Sequence, residues 1–76
     1  MSNNFFCTMG NFIKGLKIIE KYTVTDSYPI FIDRFTISFN TDDERMKQMT
    51  KEDREELERL RFHIDGNTIF TDEYTY

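Results

Sequence analysis

At 76 residues the chain is one small domain, of a size that buries only about 60% of the surface its unfolded form exposes. Its single Cys7 and single His63 exclude an internal disulfide and a zinc site of the usual Cys/His kind. The net charge of −4 is unevenly laid, +1 over residues 1–41 and −5 over residues 42–76. An acidic second half argues against duplex nucleic acid as ligand, because neutralising phosphates takes clustered Lys and Arg.

Residues 1–10 read as an N-terminal arm, polar apart from Phe5, Phe6 and Met9, that is either frayed or packed over the core or a neighbouring subunit. From Asn11 as N-cap, FIKGLKIIEKY sets Phe12, Leu16 and Ile19 at helical spacing with Lys14, Lys17 and Lys21 towards solvent, which predicts a helix. Gly15 inside it marks a close approach of another backbone, since a helix-interior glycine costs about 1 kcal/mol against alanine. The rival is a strand over Ile18–Val24, because IIEKYTVT is also β-prone. Thr25–Pro29 is a turn: Asp26 and Ser27 are turn formers, and Pro29 holds Tyr28 out of helical dihedrals.

YPIFIDRFTISFN, Tyr28–Asn40, is the densest β-branched and aromatic run in the chain. Its period-2 phase flips, with Ile30 and Ile32 inward before the middle and Phe35, Ile37 and Phe39 inward after it. A two-residue turn at Asp33-Arg34 accounts for the flip by setting Ile32 opposite Phe35 and Ile30 opposite Ile37. A β-bulge in one long strand does so too, and both stay open because Asp-Arg contains neither Gly nor Asn. We adopt the hairpin. It places Phe35 in the core and Phe31 outside, so Phe35→Ala is expected to cost far more stability than Phe31→Ala.

Thr41-Asp-Asp-Glu44 matches a capping box, and Thr50-Lys-Glu-Asp53 is a second helix start with acidic residues where the macrodipole favours them. The pair predicts a helical turn followed by a main helix at Lys51–Arg61, since a single helix would set Asp53 in the seam of Met46, Met49, Leu57 and Leu60. Leu57 and Leu60 form a narrow apolar stripe, with Glu55/Arg59 and Glu58/Arg61 as surface ion pairs. Phe62–Thr71 is a hairpin whose turn is Asp-Gly or Gly-Asn, and either choice keeps Phe62, Ile64 and Ile69 on one face and His63 with Phe70 on the other. Residues 72–76 are an acidic aromatic tail. The expected fold is α+β: a small antiparallel sheet of two hairpins with two helices packed on one face, through Phe12, Leu16, Ile19, Leu57 and Leu60 against Ile30, Ile32, Phe35, Ile37, Phe62, Ile64 and Ile69.

No catalytic constellation accompanies this pattern. A catalytic His63 needs a nucleophile and an orienting partner that the sequence does not display, so it reads as structural and Cys7 as a small buried hydrophobe. No calcium-loop spacing organises the carboxylates, and no cofactor or metal is expected. Without an apolar run near the ~18 residues of a membrane span, and with MSNNFFCTMG lacking a secretory pattern, the expectation is a reduced cytoplasmic protein with no membrane contact.

The order GLKIIEKY, a hydrophobic strand pair, an acidic stretch into KEDREELERLRFHID and a closing aromatic segment resembles small proteins carried by bacteriophages and other mobile elements, over residues 12–71. Leu60-Arg61-Phe62 departs from the Leu-Gly-Trp-like segment expected there. The resemblance implies a non-enzymatic inhibitor of a host protein, of the anti-CRISPR or another anti-defence type. The alternative is a small assembly subunit that self-associates. Two surfaces are candidates for the partner: the acidic residues Asp42, Asp43, Glu44, Glu52, Asp53, Glu55 and Glu56, and the aromatics Phe31, Phe70, Tyr74 and Tyr76. The acidic set as a nucleic-acid mimic is the weaker reading, because Arg45, Lys47, Lys51, Arg54 and Arg59 interrupt it.

Overall fold

The computed structural model describes residues 7–25 and 28–75. The arm residues Phe5 and Phe6, the turn formers Asp26 and Ser27, and the tail residue Tyr76 lie outside the described residues. Among those described, the chain runs α1 (Met9–Ile19), β1 (Ile30–Asp33), β2 (Thr36–Asn40), α2 (Asp43–Lys47), α3 (Lys51–Arg59), β3 (His63–Asp65) and β4 (Thr68–Thr71). The four strands make one antiparallel sheet in the order β1-β2-β4-β3. The fold is α+β, and no helix among the described residues is long and apolar enough to cross a membrane.

The helix reading of Phe12–Ile19 holds against the strand, with a different start. Thr8 is the N-cap, its Oγ1 accepting the Asn11 N–H at 3.1 Å, so Asn11 sits in the first turn. Past the helix, the Val24 N–H donates to the Asn40 carbonyl at 3.0 Å, and Ile18–Val24 forms no strand.

The Tyr28–Asn40 run is a hairpin whose turn falls one residue later than expected, which moves the cross-strand pairing by two positions. Ile32 lies opposite Ile37 and Ile30 opposite Phe39, and Asp33 pairs with Thr36 across a loop of Arg34 and Phe35. Arg34 takes the positive φ of 48°, a conformation that arginine does not advertise. Its guanidinium carbon lies 5.7 Å from the Phe35 ring centre. The shift removes Phe35 from the core, leaving it 54% exposed. Ile30 and Ile32 keep the helix-facing side of the sheet but stay 53% and 74% exposed, because β1 is an edge strand that the short helices do not cover. The expected contrast between Phe35→Ala and Phe31→Ala therefore disappears. Phe39, Ile69 and Thr71 are the strand residues that are buried, together with Phe62 just ahead of β3.

The second half follows its start signals with one exchange. Asp42, not Thr41, caps α2, its Oδ1 accepting the Arg45 N–H at 2.8 Å, and no Thr41/Glu44 box forms. Thr41 is buried and its N–H and Oγ1 both donate to the Asn67 carbonyl, at 3.0 and 2.6 Å. Thr50 caps α3 as expected, accepting the Asp53 N–H at 3.0 Å. The helix stops at Arg59, two residues before the expected end. Arg61 turns left-handed at φ 72°, the Phe62 N–H reaches the Leu57 carbonyl at 2.8 Å, and the Arg61 N–H reaches the Glu58 carbonyl at 3.1 Å. This is a Schellman ending with arginine where glycine is usual, and its 6→1 bond turns Phe62 back onto Leu57.

Phe62 is the centre of the core. It is fully buried with Ile19, Phe39, Leu57, Leu60 and Ile69. Its ring lies 5.9 Å from Phe12, 5.3 Å from Tyr74 and 6.3 Å from Phe39, centre to centre. Gly15 does mark a close approach, of this ring rather than of a backbone: a Cβ there would stand 2.2 Å from Phe62 Cε1. The closing hairpin turns at Gly66-Asn67 with Gly66 at φ 62°, the second of the two turns the sequence allowed, and sets Ile64 opposite Ile69 and His63 opposite Phe70, on the faces expected of them.

Candidate functional site

His63, on β3, has its Nε2 2.9 Å from Glu73 Oε2 and its ring 5.3 Å from that of Phe70. The turn after β4 that carries Asp72 and Glu73 is held by Thr71, whose fully buried hydroxyl donates to the Arg61 carbonyl at 2.8 Å and accepts the Glu73 N–H at 3.3 Å. Ligand atoms of His63, Asp72 and Glu73 lie within 4.8 Å of one another. One imidazole and two carboxylates are a donor set for a divalent cation, and an imidazole–carboxylate pair is half of a general-base arrangement. Among the described residues no hydroxyl or thiol bonds this imidazole. Cys7 lines a pocket with Thr8, Met9, Phe12, Ile37 and Tyr74, and burial pushes its thiol up, the direction opposite to thiolate activation.

The acidic residues do not form one free surface. Asp42 is bound to the Arg45 N–H and guanidinium, which hold its carboxyl below the usual range. Asp43 Oδ1 accepts from Asn67 Nδ2 at 2.7 Å. Glu56 takes Arg59 in a two-point contact, at 3.0 and 2.5 Å, and Glu55 stands 3.9 Å from Lys51. Arg59 thus pairs at i−3 rather than with Glu55. Glu44 and Glu52 are exposed.

Asp53 has a structural place that sequence reasoning missed. Its Oδ2 accepts from the Tyr22 hydroxyl at 2.5 Å and from Lys21 Nζ at 2.7 Å. The first turn of α3 is thereby tied to the turn after α1. Tyr22 is buried, and burial followed by the Asp53 contact raises its phenol. The Lys21 and Tyr22 hydrogen bonds hold the Asp53 carboxyl below its ordinary value near 3.8. A depressed carboxylate stabilises the fold above the unfolded-state value, and that contribution is lost as pH falls through the folded value. Between about pH 6 and about pH 2.5, the urea midpoint is expected to fall further for the native chain than for Asp53→Asn. Tyr22→Phe is expected to cost about 1.5–3 kcal/mol near neutrality, the worth of a hydrogen bond to a charged partner. Equal acid slopes would overturn this role for Asp53.

Of the aromatic candidates, Tyr74 is turned inward: its hydroxyl donates to the Leu60 carbonyl at 2.6 Å and its ring lies 5.0 Å from Phe12 and 5.3 Å from Phe62. Phe31 and Phe70 are on the outer face as expected. The register aligns them in one row across the sheet, Phe31, Ser38, Phe70, His63, with Phe31 63% exposed.

The exposed apolar surface continues along β1. Besides Phe31, Tyr28 is 87% exposed, and Ile30, Ile32 and the loop residue Phe35 are more than half exposed. Strand β1, Ile-Phe-Ile-Asp, is exposed at all four positions. Ile30 also borders a groove of about 180 Å³ with Leu16, Ile19 and Phe39, between α1 and the strand. The backbone on this side is open too. Pro29 accepts the Asn40 N–H at 2.8 Å, so Pro29, Phe31 and Asp33 turn their polar groups to β2 and Ile30 and Ile32 turn theirs away from it, while the Tyr28 carbonyl accepts from Asn40 Nδ2 at 3.1 Å. Apolar side chains of this size on both faces of an uncovered edge fit an added strand. The sequence signal was Pro29, a residue that sheets confine to edges.

No family model, curated protein or solved structure matches the chain.

Proposed function

We propose that the chain is a non-enzymatic protein-binding module that captures another polypeptide along the open edge of β1, by strand addition with apolar anchors. The observation that carries this is the strip Tyr28, Ile30, Phe31, Ile32 and Phe35, all more than half exposed on a strand that, among the described residues, pairs on one side only. Main-chain hydrogen bonds supply affinity in this mode, and alternate side chains supply choice of partner. The resemblance to mobile-element proteins supports a host protein as the partner, bound and blocked in an anti-defence role. The acidic residues contribute long-range attraction to a basic partner but not the anchor, since Asp42, Asp43, Asp53 and Glu56 have hydrogen-bond partners within the chain.

Capture from a lysate of the cell that carries the gene, with the native chain and Ile32→Lys as baits, tests this reading. Partners held by the first and lost by the second are expected, and a Glu44→Lys, Glu52→Lys double variant is expected to keep them. Identical partner sets for the native and Ile32→Lys baits overturn it.

A further inference from the structure

We propose that a second copy of this chain pairs with the β1 edge, antiparallel about a two-fold axis at Phe31, giving a continuous eight-stranded sheet. The inference rests on reading the β1 edge as the binding surface, and adds what occupies that edge when no host partner is bound. The edge is self-complementary in its backbone. Because Ile30 and Ile32 both face outward, setting Ile30 opposite Ile32 of the second copy forms a two-bond pair, and the two-fold repeats it. The proline does not blunt this edge, since the N–H it lacks would point to β2.

The side chains select the register. Centring on Phe31 puts Ile30 against Ile32 of the second copy on the helix side, Phe31 against Phe31 on the outer face, and Tyr28 opposite Arg34, whose guanidinium already lies over an aromatic ring. The one acidic residue of the strand, Asp33, then falls opposite Pro29, and no like charges meet. Centring on Ile32 instead would set Asp33 against Phe31 and Arg34 against Ile30. An axis perpendicular to the sheet keeps both helical layers on the same side. The area is adequate: five mostly exposed side chains of this size present on the order of 600 Å² per copy. That is about a tenth of the 5437 Å² accessible surface, the share of a small protein's surface that a standard interface occupies. Among the described residues no lysine, bulge or covering loop guards β1, the devices that keep natural edges apart.

Sedimentation equilibrium on the purified chain is expected to show a concentration-dependent dimer, with Ile32→Lys raising the dissociation constant at least about tenfold. Ile32 is exposed, so far-UV circular dichroism of that variant should match the native chain. In a Cys7→Ser background, Phe31→Cys should form an intermolecular disulfide on mild oxidation, because the pair on the axis has Cα atoms about 4.5 Å apart. Ile32→Cys should not, since that pair is diagonal, at roughly 7–8 Å. A chain monomeric at all concentrations, or cross-linking at Ile32 and not at Phe31, overturns the proposal. A monomeric chain whose lysate partners are still lost with Ile32→Lys sinks only the self-pairing. If neither the assembly state nor the captured partners respond to Ile32→Lys, the edge itself is not a binding surface.

Discussion

Phe62→Ala is expected to cost about 3–5 kcal/mol, the usual penalty for emptying a buried aromatic site. The residue is fully buried and faces the rings of Phe12, Phe39 and Tyr74. Its neighbours come from α1, β2 and the C-terminal segment, so the cavity cannot close by moving one side chain. A domain of this size has a total stability of order 5–15 kcal/mol. The variant should therefore show a greatly reduced urea midpoint, while Phe62→Leu, which keeps much of the volume, should cost clearly less. Similar midpoints for the native chain and Phe62→Ala would contradict the central place of this ring.

Gly15→Ala should destabilise as well, against what helix propensity predicts. In an unobstructed helix the change stabilises by about 1 kcal/mol. Here the new Cβ would meet Phe62 Cε1, Cζ and Cδ1 at 2.2, 2.7 and 2.8 Å. Phe62 is hemmed in and cannot step back, so overpacking of about 1–3 kcal/mol or more applies, and it outweighs the propensity gain. The two sites are in contact and their effects should couple. On a Phe62→Leu background, Gly15→Ala is expected to cost less than it does alone. A higher melting temperature for Gly15→Ala in the native background would mean that the ring does not sit over the glycine.

Where local chemistry is decisive, the sequence was readable. Gly66 at positive φ with alternating apolar residues defines the closing hairpin and its faces, and Thr50 with acidic residues behind it defines the start of α3. The first hairpin was readable as a hairpin but not in register. Neither Arg34 nor Phe35 is a turn former, and periodicity admits Phe35 to the inner face as readily as to the loop. Gly15 announced a close approach but not its partner, because Phe62 arrives from 47 positions away along the chain. Asp53 read as one solvated carboxylate among several, and Tyr74 as a tail aromatic. Their roles depend on Tyr22 and Leu60, which no local pattern links to them.

By itself, then, the sequence determined the α+β class, the helix and strand segments, the outward set Phe31, Phe70 and His63, and the inward set Ile19, Leu57, Leu60, Phe62 and Ile69. These follow from periodicities of 3.6 and 2 and from capping and turn residues, which are properties of neighbouring positions. Only the tertiary structure decided which strand lies at the edge. The order β1-β2-β4-β3 sets the most apolar strand on the outside, where helices of 11 and 9 residues leave it uncovered. Ile30 and Ile32 carry the pattern of core residues, and burial is a property of what packs against a face, which no single strand encodes. That is why residues expected in the core became the candidate binding surface.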